Sequence, residues 1–250
     1  MRILSKIKNE FRIWRNLIRR RIYVSSKTER EIIDQFHKLY YGPGNVFSGF
    51  PWFNTRWLGV KVLKCPLDLW VYQEIISEIR PDIIIECGTA DGGGTLFLAS
   101  MCDLVGRSRV VTVDIRPREN LPKHNRITYL TGSSISEEII KKIKDIIKPG
   151  DRIMVVLDSN HAKNHVLSEL RIYGQLVTTG SYLIVEDTNV NGHPVVPDFG
   201  PGPMEAVAEY LSENKDFIAD KSKEKFYLTL NPGGYLKKIK FLRYEQKVIP

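Results

Sequence analysis

Short apolar, β-branched runs such as Ile83-Ile84-Ile85 and Met154-Val155-Val156 recur along the chain, each followed by a stretch with helical spacing. Uninterrupted runs of this kind belong to strands covered on both faces, as in a parallel sheet between two helical layers. The patterns predict strands over 82–87, 109–114, 126–131, 152–157 and 181–185. They predict helices over 66–79, 94–104, 136–147, 163–173 and 203–213. Near the end, 216–219 and 226–230 read as two more strands. The charged turn 220–225 between them leaves no room for a crossover helix, so they should pair antiparallel. The fold expected is α/β: a doubly wound, mostly parallel seven-stranded sheet with a terminal antiparallel hairpin, preceded by N-terminal helices. That hairpin favours a Rossmann-like sheet of the class I methyltransferase type over a plain dinucleotide-binding one.

The 250 residues carry 37 basic and 29 acidic side chains, a surplus of +8. Arg2, Lys6, Lys8, Arg12, Arg15, Arg19, Arg20 and Arg21 are opposed only by Glu10 in the first 22 positions. The remainder is nearly neutral, which argues against a nucleic-acid-binding face on the core. Between the basic residues, Ile3, Leu4, Ile7, Phe11, Trp14, Leu17, Ile18 and Ile22 recur at helical steps. Such a helix suits peripheral contact with anionic lipid, or packing on its own domain or on a second copy in a homo-oligomer. A second helix should start at Thr28, which forms a capping-box pattern with Glu31. Residues 1–44 thus read as a basic helical extension and 45–250 as the catalytic domain. The segment 41–65, rich in Gly, Pro and aromatics, either walls a site or packs as an ordered loop. Three cysteines, no apolar run long enough to span a bilayer and no secretory leader pattern point to the cytoplasm, with the membrane surface as an option through residues 1–22.

The turn after the first strand reads Glu86-Cys87-Gly88-Thr89-Ala90-Asp91-Gly92-Gly93-Gly94. Its glycines allow close backbone approach to a ligand and free the amides at the next helix start. It lacks both the dinucleotide fingerprint and a phosphate-loop lysine. A carboxylate here disfavours pyrophosphate but suits the ammonium and sulfonium neighbourhood of S-adenosylmethionine. Asp114, at the end of the second strand, is placed to take a ribose diol. Gly132, Ser133 and Ser134 follow the third strand, where they either edge an adenine or cap a helix.

The fourth and fifth strands end in Asp158-Ser159-Asn160-His161 and Glu186-Asp187-Thr188-Asn189. Parallel strands bring their carboxyl ends to one edge, so Asp158, Glu186 and Asp187 can converge there. Crowded carboxylates call for a cation, and hard oxygen donors suit Mg²⁺, Mn²⁺ or Ca²⁺. The alternative is that they splay apart as strand-end caps. His161 can take a proton from a hydroxyl held at such a site, or bond a backbone group. His165 reads as structural, and His193 lies in a Gly/Pro-rich loop, 191–202, with the look of a lid.

Five segments together resemble the cephalosporin hydroxylase family over about residues 46–236. They are Lys64-Cys65-Pro66-Leu67-Asp68-Leu69-Trp70-Val71-Tyr72-Gln73-Glu74, Ile85 to Gly93, Leu157 to His161, Val185 to Asn189, and Gly200-Pro201-Gly202-Pro203-Met204-Glu205-Ala206-Val207. The resemblance implies a class I fold and S-adenosylmethionine-dependent, Mg²⁺-assisted O-methyl transfer to sugar hydroxyls of macrolides and glycolipids. It implies Asp158, Glu186 and Asp187 as metal ligands and Asp158 with His161 as the catalytic pair. Glu86, Gly88, Thr89, Ala90, Gly92, Asp114 and Ser133 fall at the cofactor site. Asn160 and Asp91 depart from the family's pattern, where an acidic residue and a histidine are expected. A catechol offers the same vicinal diol geometry as a sugar and stays open, as does a non-catalytic, membrane-docked accessory role.

Overall fold

The computed structural model describes residues 28–42, 49–116 and 118–239. The amphipathic pattern over residues 3–22 lies outside them. The chain divides into two compact units, Met1–Phe36 and His37–Pro250. Helix α1 (Glu29–Tyr41) opens with the anticipated capping box: Thr28 N donates to Glu31 Oε2 at 2.6 Å, and Glu31 N donates to Thr28 Oγ1 at 3.3 Å.

In the second unit a small antiparallel pair, β1 (Arg56–Trp57) and β2 (Val60–Lys61), precedes α2 (Pro66–Ile79). Then come β3 (Ile83–Cys87), α3 (Gly93–Leu104), β4 (Arg109–Asp114), β5 (Ile127–Thr131), α4 (Glu137–Ile146), β6 (Ile153–Leu157), α5 (Lys163–Tyr173), β7 (Tyr182–Val185) and α6 (Pro203–Glu213). The last strands are β8 (Phe217–Ala219) and β9 (Tyr235–Lys238). The seven-stranded sheet runs β5-β4-β3-β6-β7-β9-β8, parallel from β5 to β7 and antiparallel at β9.

Alternation along the buried strands sorts side chains into two layers. Ile83, Ile85 and Cys87 face Ile139 and Ile143 of α4, Leu170 of α5 and Val207 of α6. Ile84 faces Ile75 and Ile76 of α2 and Leu98 of α3. Burying each such isoleucine contributes about 1.5–3 kcal/mol, so a polar insertion in β3 would be felt in both layers.

One expected strand is corrected. Residues 226–230 are not a strand; the hairpin partner of β8 is β9. Tyr227 has φ +67°, which interrupts an extended run. Leu228 and Leu230 instead pack with Cys65, while Leu230 N donates to the buried Asp68 Oδ2 at 2.8 Å. Tertiary contacts thus override a local run of high β-propensity.

Candidate active site

The strand order reverses between β3 and β6, and a cavity of about 580 Å³ opens at the carboxyl ends there. Gly88 makes the crossing possible. Its φ is +103°, and a Cβ on it would lie 1.9 Å from the Asp158 carbonyl oxygen. Gly93, the first residue of α3, lies equally close to Lys61, where a Cβ would come within 2.0 Å of the carbonyl oxygen. Two loops therefore close on the turn with no side chain between.

On the cavity lining, Glu86 is 1% exposed and accepts hydrogen bonds from Thr95 and, at 2.8 Å, from the Thr112 hydroxyl. Burial raises its pKa, against the pull of Lys64. Asp114 is aimed by two backbone amides, Ala90 N on Oδ2 and Arg116 N on Oδ1, each at 3.0 Å. Glu86, Gly88, Thr89, Ala90, Asp114 and Ser133 all line the cavity. Gly92 instead caps α3 with φ +80°, where a Cβ would strike Pro122 at 2.7 Å.

On the same lining, Asp158, His161 and Asp187 each present a ligand atom within 4.8 Å of the other two. His161 Nε2 lies 3.1 Å from Asp187 Oδ2 and 4.0 Å from Asp158 Oδ1. Burial opposes the imidazolium, but Asp187 and Asp158 outweigh it and raise the His161 pKa to about 9. Asp187 holds φ +52°, and its N donates to Asn231 Oδ1 at 3.1 Å, so the loop before β9 fixes a strained backbone at the site.

Glu186 is not part of this trio. Its Oε1 accepts from Lys64 Nζ at 2.5 Å and from the Tyr72 hydroxyl at 2.6 Å. Lys64, 4% exposed, also donates to Asp158 Oδ2 at 2.6 Å. Burial disfavours its charge, yet Asp158, Glu186 and Glu86 together hold its pKa above that of a free lysine. This internal cation escaped the sequence reading. Its partners are 94 and 122 residues away, and the only local signal was a lysine inside an otherwise apolar Leu63-Lys64-Cys65 segment.

Asp158 and Asp187 fit a hard divalent cation. They offer carboxylate oxygens at ligand spacing beside the His161 ring, with Lys64 holding the second oxygen of Asp158 out of the set. Glu186 has at most its other oxygen to offer. Tyr41 and Trp52 wall the same cavity and stack at 5.1 Å, so part of the aromatic segment 41–65 serves as wall. They also border an adjoining cavity of about 350 Å³ flanked by Phe50, Pro194, Val195 and Val196. The 191–202 loop is tied to α6: Glu205 Oε1 accepts from Asn191 Nδ2 at 3.0 Å and pairs with His193 Nε2 at 2.8 Å.

Residues 50–239 match the family described as Rhamnosyl O-methyltransferase/CmcI. Rhamnosyl O-methyltransferase of Mycobacterium tuberculosis is 38% identical over 213 residues, covering 82% of this chain and 84% of that protein. The Mycobacterium leprae protein of that name is 38% identical over 212 residues, covering 82% and 90%. Among solved structures, an apo form of CmcI superposes with TM-score 0.61 at 20% identity, covering 82% of this chain and 84% of that one. A CmcI structure with Mg and SAM gives 0.60 at 20%, covering 81% and 84%. The mostly parallel seven-stranded sheet with its helices matches that fold.

Proposed function

Because the chain belongs to the Rhamnosyl O-methyltransferase/CmcI family, we propose that it transfers the methyl group of S-adenosylmethionine to a hydroxyl of a rhamnosyl or related sugar acceptor, with a hard divalent cation at Asp158 and Asp187. The observation that carries this reading is a single cavity lined by two unlike sets of groups, Glu86 with Asp114 and the trio Asp158, His161 and Asp187.

Asp114, held by two amides, presents carboxylate lone pairs to a ribose diol. Glu86, oriented by Thr95 and Thr112, sits where the ammonium of the methionine part is received. The hydroxyl oxygen attacks the sulfonium methyl in line, the carbon–sulfur bond breaks, and S-adenosylhomocysteine leaves. His161 takes the hydroxyl proton on the ring nitrogen left free when Nε2 donates to Asp187 Oδ2, which orients the ring. Asp158 and Asp187 would hold a divalent cation, which when bound would supply positive charge to acidify the hydroxyl and to offset the carboxylates' pull on His161. Tyr41 and Trp52 wall the acceptor side, with the adjoining cavity open to the rest of the glycoconjugate.

Calorimetric titration with S-adenosylmethionine tests the cofactor half. Wild type should bind, and Asp114→Ala should bind at least about tenfold more weakly, since a ribose hydrogen-bonding carboxylate is lost. Absence of binding by wild type would overturn the proposal.

A further inference from the structure

Glu169, on α5, is 1% exposed and lies beneath the cavity wall. Its Oε1 accepts from the Ser134 hydroxyl at 2.5 Å and from the Ser159 hydroxyl at 2.7 Å. His165 Nε2 lies 3.4 Å from the same oxygen, and 3.3 and 3.2 Å from the two serine oxygens. The Tyr173 hydroxyl donates to the Ser134 carbonyl at 2.7 Å and fixes that turn. Ser134, Ser159 and His165 all line the cavity, while Glu169 does not.

A serine hydroxyl has one proton and two lone pairs, and an ionised carboxylate only accepts. With both protons turned to the carboxylate and imidazole side, Ser134 and Ser159 present lone pairs to the cavity. A ligand edge that meets them must donate. The 6-amino group of adenine donates, whereas the 6-oxo group of hypoxanthine accepts and would face like lone pairs. We propose that Glu169 is a specificity-determining positioning residue: by engaging the protons of Ser134 and Ser159 it makes both hydroxyls acceptors and selects a 6-aminopurine. This rests on the S-adenosylmethionine reading above. A site built to bond one polar group rejects the analogue that cannot supply it, because its own buried groups are left unpaired.

The test compares dissociation constants of S-adenosylhomocysteine and its deaminated analogue, S-inosylhomocysteine, on the full chain by calorimetry. Wild type should prefer the adenosyl compound by at least about tenfold. Glu169→Gln, whose amide donates to one serine and frees its proton toward the cavity, should cut that ratio by about fivefold or more. Ser134→Ala, which removes one acceptor without touching the buried carboxylate, should narrow the ratio too and serves if Glu169→Gln fails to fold. Equal binding of both compounds by wild type overturns the assignment. So does a Glu169→Gln protein that loses affinity for both alike, since that is a structural effect. Binding of neither compound by wild type contradicts the S-adenosylmethionine reading and this assignment with it.

Discussion

His161 Nε2 lies 3.1 Å from Asp187 Oδ2, so the candidate base is held by a residue that also faces the candidate metal position. Asp187 keeps that place through a left-handed backbone anchored by Asn231. His161→Ala should lower kcat by about 100- to 10,000-fold, the usual contribution of a positioned general base, and leave S-adenosylmethionine affinity within about twofold. Steady-state kinetics with calorimetry checks both. A kcat close to wild type would remove His161 from the mechanism.

Lys64 neutralises at once the buried Glu186, just after β7, and the half-buried Asp158, just after β6. Lys64→Met leaves both carboxylates without their cation and should destabilise the fold by about 3–5 kcal/mol in urea unfolding. Adding Glu186→Gln should recover part of that loss. If the double variant is no more stable than Lys64→Met, the pair is not coupled as its 2.5 Å contact requires.

Gly88 and Gly150 both have positive φ, +103° and +86°, but differ in their surroundings. Alanine at 88 meets the Asp158 carbonyl oxygen at 1.9 Å, whereas nothing lies within 4 Å at 150. Gly150→Ala should therefore cost only about 1 kcal/mol, the backbone term alone. Gly88→Ala should cost more than about 3 kcal/mol and abolish cofactor binding, because β3 and β6 must part at the switch point. Equal losses in thermal unfolding would contradict the close crossing.

The parallel strands and their helices followed from runs such as Ile83-Ile84-Ile85, since burial on both faces leaves a local signature. Gly88, Asp114, Asp158 and Asp187 were legible because strand ends in such a sheet share one edge. The strand assigned to 226–230 failed where Tyr227 turns left-handed and Asp68 captures the Leu230 amide, both set by distant partners. Lys64 left only a lone charge between Leu63 and Cys65, with nothing local to name its partners. Glu169 is one charge on α5 whose burial against Ser134 and Ser159 is set by the fold alone.

Burial opposes the Glu205 carboxylate, but hydrogen bonds from His193, the Gly202 amide and Asn191 outweigh it and hold its pKa down to about 2. A depressed carboxylate pKa stabilises the folded state above about pH 4.5. That contribution is lost as pH falls from there toward 2. Glu205→Gln should therefore show a smaller fall in unfolding stability between pH 5 and pH 2.5, roughly, than wild type. Parallel losses would show that the 191–202 loop is not pinned through this group.

Methyl transfer to a sugar hydroxyl under control of the acidic pair is tested by mass spectrometry of a rhamnoside acceptor incubated with wild-type protein, S-adenosylmethionine and Mg²⁺, beside a chelated sample and Asp187→Ala. The expected result is one added methyl group with stoichiometric S-adenosylhomocysteine, and a rate lowered at least about 100-fold both by chelation and by the substitution. Undiminished transfer after chelation and in Asp187→Ala would contradict it.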